Sequence, residues 1–155
     1  MTELTVGQKA PGFELDGDGG KTLRLSDYSG HPVVVYFYPK DDTPGCTKEA
    51  LSFSCLSAEF AAKNITVIGI SPDTAAKHDK FKAKHELTVR LASDPETATC
   101  QDYGVWVEKS MYGKTYMGVE RSTFLIDSKG EIARVWRKVK VAGHAEEVLE
   151  AAAKL

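Results

Sequence analysis

Six consecutive apolar residues, Val33-Val34-Val35-Tyr36-Phe37-Tyr38, stand between Gly30 and Pro32 on one side and Pro39 on the other. β-Branched and aromatic side chains favour an extended backbone and pack well on a pleated surface. Successive strand residues point to opposite faces, so an unbroken apolar run needs cover on both. The run is predicted to be the central strand of a sheet sandwiched between helices, and it is far too short to span a membrane.

The pattern on either side of this strand sets the fold class. From Pro44 to Lys63 the apolar residues Ala50, Phe53, Leu56 and Phe60 recur at spacings of three and four, which predicts one amphipathic helix over 44–63. Ile65 to Ile70 returns to a strand pattern, and strand, helix and strand within about 40 residues make a right-handed crossover between parallel strands. Ser71-Pro72-Asp73 announces a second helix from Thr74 to His85, and Asp94-Pro95 opens a short one through Tyr103. Thr123 to Asp127 is a strand, joined through the turn chemistry of Asp127-Ser128-Lys129-Gly130 to Ile132–Trp136 as a hairpin. A last helix runs from His144 to Lys154, and the polar, aperiodic stretch from Glu108 to Gly118 reads as a loop. The chain is expected to be α/β, a central mixed β-sheet flanked by helices, in one domain over 1–155.

Composition narrows the function classes. At 155 residues the chain buries enough surface to fold without staples, so its three cysteines need not be structural. An odd, sparse set does not make a disulfide framework, and a reducing, cytoplasmic setting is expected. Twenty Lys+Arg against twenty-two Asp+Glu leave a net charge of −2, which provides no electrostatic footprint for nucleic acid. The N-terminus lacks the basic and apolar regions of a leader, so the protein is expected to be soluble, without nucleic-acid or membrane partners.

The segment with chemical content is Tyr38-Pro39-Lys40-Asp41-Asp42-Thr43-Pro44-Gly45-Cys46-Thr47-Lys48-Glu49, where the central strand gives way to a helix. Ligands collect at such strand ends in open α/β sheets. Thr43 suits the N-cap and Pro44 the first helical position, which leaves Cys46 third, beside free backbone N–H groups that favour a thiolate. Bringing a thiol from pKa about 8.5 below neutrality takes roughly 2–3 kcal/mol, whereas a helix end contributes about 0.3–1. A cation must assist, and Arg121, just ahead of the strand at Thr123, is the candidate. The plain alternatives are an inert buried thiol for Cys46, a simple cap for Thr43 and a surface ion pair for Arg121.

Other polar residues carry weaker signals. His31, His78, His85 and His144 lie in separate elements without ligand spacing, so no metal site is expected. His78 and His85 read as solvated and His144 as a capping detail. Trp106 and Trp136 read as core or rim, and Arg134, Arg137, Lys138 and Lys140 as a solvated surface. No glycine-rich phosphate loop is present.

Pro39-x-x-x-Thr43-x-x-Cys46 resembles the active-site signature of the peroxiredoxins, thiol peroxidases with a thioredoxin-like fold. Tyr36 to Lys40, Thr43 to Thr47, Tyr103 to Trp106, Glu108 to Gly113 and Arg121 to Asp127 are similar to the bacterioferritin-comigratory, or Q-type, branch, and the likeness runs from Val6 to the C-terminus. The resemblance implies that Cys46 is the peroxidatic cysteine, that Thr43 orients the peroxide and that Pro39 shields the pocket. It also implies that Arg121 polarises thiolate and substrate, with Glu49 holding the arginine. The implied reaction is reduction of hydrogen peroxide and organic hydroperoxides through a sulfenic acid on Cys46, with no metal or organic cofactor.

One departure matters. The resolving cysteine of many Q-type members stands five residues after the peroxidatic one, where this chain has Leu51, and the helix 74–85 holds no cysteine either. Cys55 lies roughly 13 Å further along a continuous helix and on its other face, beyond the Cα separation a disulfide accepts, and is expected to pack with Leu51 and Ala58. Cys100 reads as core filler. The expectation is a one-cysteine mechanism in a monomer, with an external thiol, thioredoxin or glutaredoxin as reductant. Resolution by Cys55 or Cys100, and a non-enzymatic peroxide sensor or holdase, are the alternatives; a thiol–disulfide oxidoreductase lacks its Cys-x-x-Cys.

Overall fold

The computed structural model describes residues 4–155. Its centre is a seven-stranded sheet in the order β2-β1-β5-β4-β3-β8-β9. These strands are β1 (Glu14–Gly17), β2 (Thr22–Arg24), β3 (Val33–Phe37), β4 (Thr66–Ser71), β5 (Arg90–Ser93), β8 (Ser122–Ile126) and β9 (Ile132–Trp136). β6 (Trp106–Met111) and β7 (Lys114–Val119) form a separate two-stranded sheet. The helices are α1 (Pro44–Cys55), α2 (Ser57–Ala62), α3 (Ala75–His85), α4 (Ala98–Asp102) and α5 (His144–Ala153).

The central position of Val33–Phe37 agrees with its sequence: every residue of β3 is buried. β3 pairs in parallel with β4 and antiparallel with β8, and β4 pairs in parallel with β5, so the sheet is mixed. Strand alternation divides the core in two. Val34, Tyr36 and Tyr38 join Cys46, Ala50, Phe53, Phe81 and Val148 on one face. Val33, Val35 and Phe37 join Ile68, Cys100, Tyr103 and Phe124 on the other. Phe53 stacks on Tyr36 with ring centroids 4.8 Å apart and anchors α1 to the sheet. The ring of Tyr36 lies where a side chain at position 69 would project: a Cβ there would come within 2.6 Å of its Cζ, so Gly69 is needed for the approach.

Two expectations need correction. The helix over 44–63 is two, broken at Leu56 with φ −99° and ψ 8°. Thr88 takes hold of Ser54 there, its N–H donating to Ser54 Oγ and its hydroxyl to the Ser54 carbonyl, which competes with helix continuation. The stretch from Glu108 to Gly118 is a β-hairpin, not a loop. Its turn is Tyr112-Gly113 with φ 52° and 76°, the positive pair that matches hairpin twist. A tyrosine at the first turn position, 97% exposed, is a weak turn signal, and the short strands beyond it bury little on either side. Beyond these, β1, β2 and β5 carry no expectation from the sequence, being too short to announce themselves by periodicity. Among the described residues no helix is long and apolar enough to cross a membrane.

Candidate active site

Cys46 is the third residue of α1, after Thr43 in extended conformation and Pro44 at the first position. It is 2% exposed, on the α1 face of the sheet. Across the sheet edge, Arg121 precedes β8, whose antiparallel pairing with β3 brings it level with the end of that strand: Ser122 faces Phe37. Arg121 Nη2 lies 3.2 Å from Cys46 Sγ, and Nη1 donates to Glu49 Oε1 at 2.7 Å. Glu49 is one turn along α1 from Cys46, so one helix presents both partners to a single guanidinium. The close approach depends on Gly45, where a Cβ would stand 3.2 Å from Arg121 Nη2.

Burial opposes charge throughout this cluster. Burial pushes the Glu49 carboxyl up to about 7 even though Arg121 pulls it down, and its Oε2 has no hydrogen-bond partner. The Arg121 guanidinium is held further towards its charged form, with Glu49 and Cys46 outweighing its burial. Lys109, on β6, is a second cation nearby; burial lowers its pKa, Arg121 adds to this, and a thiolate at Cys46 opposes it. Tyr36 Oη is buried without a hydrogen-bond partner among the described residues, and the phenol is held well above its ordinary range by burial, then by Glu49 and Cys46.

Thr43 differs from its expected role as a side-chain cap. No side-chain cap bond forms; its hydroxyl donates to the Lys40 carbonyl at 2.9 Å. That contact uses the one proton of the hydroxyl and leaves its lone pairs to accept from a substrate O–H. Pro39, half-buried, opens the same loop directly after Tyr38. The fold thus brings Cys46, Arg121 and Glu49 into one cluster, with Thr43 and Pro39 in the adjoining loop.

The remaining cysteines and histidines depart further. Cys55 ends α1 and is exposed, as are Leu51 and Ala58, so the packing face expected for these three is a surface. Cys100 is buried in the core on the opposite side of the sheet from Cys46. Burial first, and then Asp94, push its thiol far above the ordinary range. His78 is not solvated but fully buried, with both ring nitrogens engaged. His85 lies at the surface against Asp42 at 2.8 Å. His144 is buried, bonded through Nε2 to Thr123 Oγ1 at 2.8 Å and edged against Phe53 and Trp136; burial lowers it to about 4. Sequence reasoning misses the positions of Asp41, Lys109 and Tyr36 beside the site. For Asp41 and Tyr36 the available signal is their neighbourhood to Pro39; Lys109 has none, because nothing local announces the hairpin that carries it.

A buried cysteine at a helix start, set against a mixed sheet and touched by an arginine that precedes an antiparallel neighbouring strand, is an arrangement suited to thiol chemistry. The AhpC/TSA family profile matches residues 6–135, and the chain belongs to that family. Within it, the relatives are Bcp/PrxQ peroxiredoxins. Peroxiredoxin Bcp of Bacillus subtilis is 51% identical over 147 residues, covering 95% of this chain and 94% of that protein. The PrxQ mutant structure from Xylella fastidiosa superposes with a TM-score of 0.93 at 40% identity, covering 99% and 98% of the two chains. The bacterioferritin comigratory protein of Xanthomonas campestris, solved in work on its alkyl peroxide reduction activity, gives 0.88 at 45% identity over 92% and 90%. The protein is a thioredoxin-fold peroxiredoxin with thiol-dependent peroxidase activity.

Proposed function

We propose that Cys46 is the peroxidatic nucleophile and that the protein works by a one-cysteine mechanism. The observation that carries the assignment is the 3.2 Å contact of Arg121 Nη2 with Cys46 Sγ at a helix start. The guanidinium supplies the charge stabilisation that the helix end alone lacks. In the first step the thiolate attacks the distal oxygen of ROOH, the S–O bond forms as the O–O bond breaks, and RO⁻ leaves and takes up a proton. Thr43 accepts the hydroperoxide O–H, and Arg121 stabilises charge passing from sulfur to the leaving oxygen. Glu49 holds Arg121 in place, and Pro39 keeps water from the pocket. No cofactor takes part in this scheme.

The Cys46 sulfenic acid is then attacked by an external thiol, releasing water and leaving a mixed disulfide. A second thiol, or a thioredoxin or glutaredoxin, restores Cys46. Two features support an external reductant over Cys55 or Cys100. Cys100 lies behind the sheet with its thiol held protonated, and Cys55 is separated from Cys46 by the helix that Ala50 and Phe53 anchor in the core. A single-domain, monomeric protein of the cytoplasm, acting on hydrogen peroxide and organic hydroperoxides, completes the reading. Mass spectrometry after one equivalent of peroxide tests it: a sulfenic acid trapped on Cys46 is expected, and an intramolecular 46–55 or 46–100 disulfide overturns the one-cysteine scheme.

A further inference from the structure

The loop that delivers Thr43 and Cys46 is gripped from the side by α3, and the grip is buried. Tyr38 Oη donates to Asp41 Oδ1 at 2.6 Å, and Asp41 Oδ2 lies 2.6 Å from His78 Nδ1. The second ring nitrogen, Nε2, is 3.0 Å from the Ala92 carbonyl, which can only accept. Nε2 therefore carries a proton, and a further proton lies between Nδ1 and Asp41 Oδ2 in the short contact. His78 is 0% exposed and Asp41 8%.

The loop backbone is held at the same place. The Asp41 N–H donates to Asp73 Oδ2 at 2.6 Å, and the Asp73 carbonyl accepts from Ser93 Oγ at 2.5 Å, which ties the loop to the ends of β4 and β5. Asp42 follows with φ 59°, a left-handed conformation that aspartate adopts more readily than most residues. Its carboxylate is taken by Lys84 and His85, also of α3, but this outer pair is solvent-exposed and weak. Thr43 is the next residue. The buried arm, Tyr38–Asp41–His78, joins the Asp41–Asp73 backbone contact in fixing the chain two residues ahead of the hydroxyl.

We propose that His78 is a positioning residue for the peroxidase reaction: through Asp41 it sets the loop 39–43 and hence the placement of Thr43 relative to Cys46. The proposal rests on the assignment of Cys46 and Thr43 above. A buried donor–acceptor set this short tolerates no slack, and misplacing an aligning group by about 1 Å can cost on the order of 100-fold in rate.

The test compares two reactions of one thiolate. Reaction of Cys46 with a hydroperoxide needs the Thr43 alignment, whereas alkylation by iodoacetamide does not. His78→Phe is expected to slow the peroxide reaction roughly tenfold or more while alkylation changes far less. Asp41→Asn is expected to retain most of the rate, because its amide accepts from Tyr38 and donates to an unprotonated Nδ1. Unchanged peroxide kinetics in a natively folded His78→Phe protein, or a parallel fall of both reactions, overturns the proposal. Should that variant fail to fold, Asp41→Ala decides in the same two assays: a slower peroxide reaction with alkylation nearly unchanged is expected, and unchanged peroxide kinetics or a parallel fall of both overturns the proposal. Peroxide consumption surviving in Cys46→Ser would instead sink the underlying site assignment.

Discussion

The chain contains two Thr-x-x-Cys turns, Thr43 to Cys46 and Thr97 to Cys100, and each places its cysteine third in a helix. Their surroundings are opposite. Cys46 faces the Arg121 guanidinium, whereas Cys100 lies against Asp94, whose Oδ2 accepts from the Cys100 backbone N–H at 2.8 Å. The free N–H groups that could favour a thiolate at α4 are already satisfied by a carboxylate, which repels the second anion. The two thiols also belong to different cores, on opposite faces of the sheet. Position on a helix therefore does not distinguish the two thiols, whereas the charge brought to each by tertiary contact does.

Substitutions can break or sharpen this contrast. Cys46→Ser is expected to abolish thiol-dependent peroxide consumption, while Cys100→Ser and Cys55→Ser leave it near wild type; a steady-state assay with excess thiol separates them. Removing the cation with Arg121→Ala should cost on the order of 100- to 1,000-fold in the rate of peroxide reduction, the range seen for losing one charge-stabilising donor, as stopped-flow kinetics would read. Such a variant makes Cys46 resemble Cys100. The converse change, Asp94→Asn, should leave Cys100 unreactive towards peroxide because it remains buried, but weaken the cap on Thr99 and Cys100 N–H by about 1 kcal/mol in a denaturant titration.

Glu49 gives a pH signature confined to the reactive turn. Its folded pKa of about 7 lies above the ordinary 4.5, so the folded state binds more protons than the unfolded one between those values. Its contribution to stability is present in full below the unfolded pKa and is lost as pH rises through about 7. A tenfold difference in proton affinity between the two states is worth about 1.4 kcal/mol. Glu49→Gln should flatten that part of the stability–pH curve, measured by urea melts from acid to neutral pH; an unchanged slope would show that the carboxyl is not perturbed in this way.

How far the sequence speaks for itself follows the same division. Val33–Phe37 can be placed because an unbroken β-branched and aromatic run has one good solution, and the crossover to β4 follows from the helix between them. The reactive turn is legible because Thr43, Pro44 and Cys46 are local in sequence. The break at Leu56 is not, since it depends on Thr88 bonding to Ser54 from 34 residues away. Nor is the burial of His78, whose partners Asp41 and Ala92 lie 37 and 14 residues distant. The hairpin of β6 and β7 escapes because neither of its faces is covered well enough to impose alternation on the sequence.

By itself, then, the sequence determined the central strand, the parallel crossover and the helix start that carries Cys46, all features set by local sterics and hydrophobic period. It also contained a second Thr-x-x-Cys turn, which differs locally by lacking a proline at the first helical position. Only the tertiary structure decided which thiol meets a cation and which meets a carboxylate. That choice depends on β8 delivering Arg121 to the end of β3 while Asp94 closes over α4, and charges in a poorly solvated site act strongly over the few ångströms that folding alone can arrange.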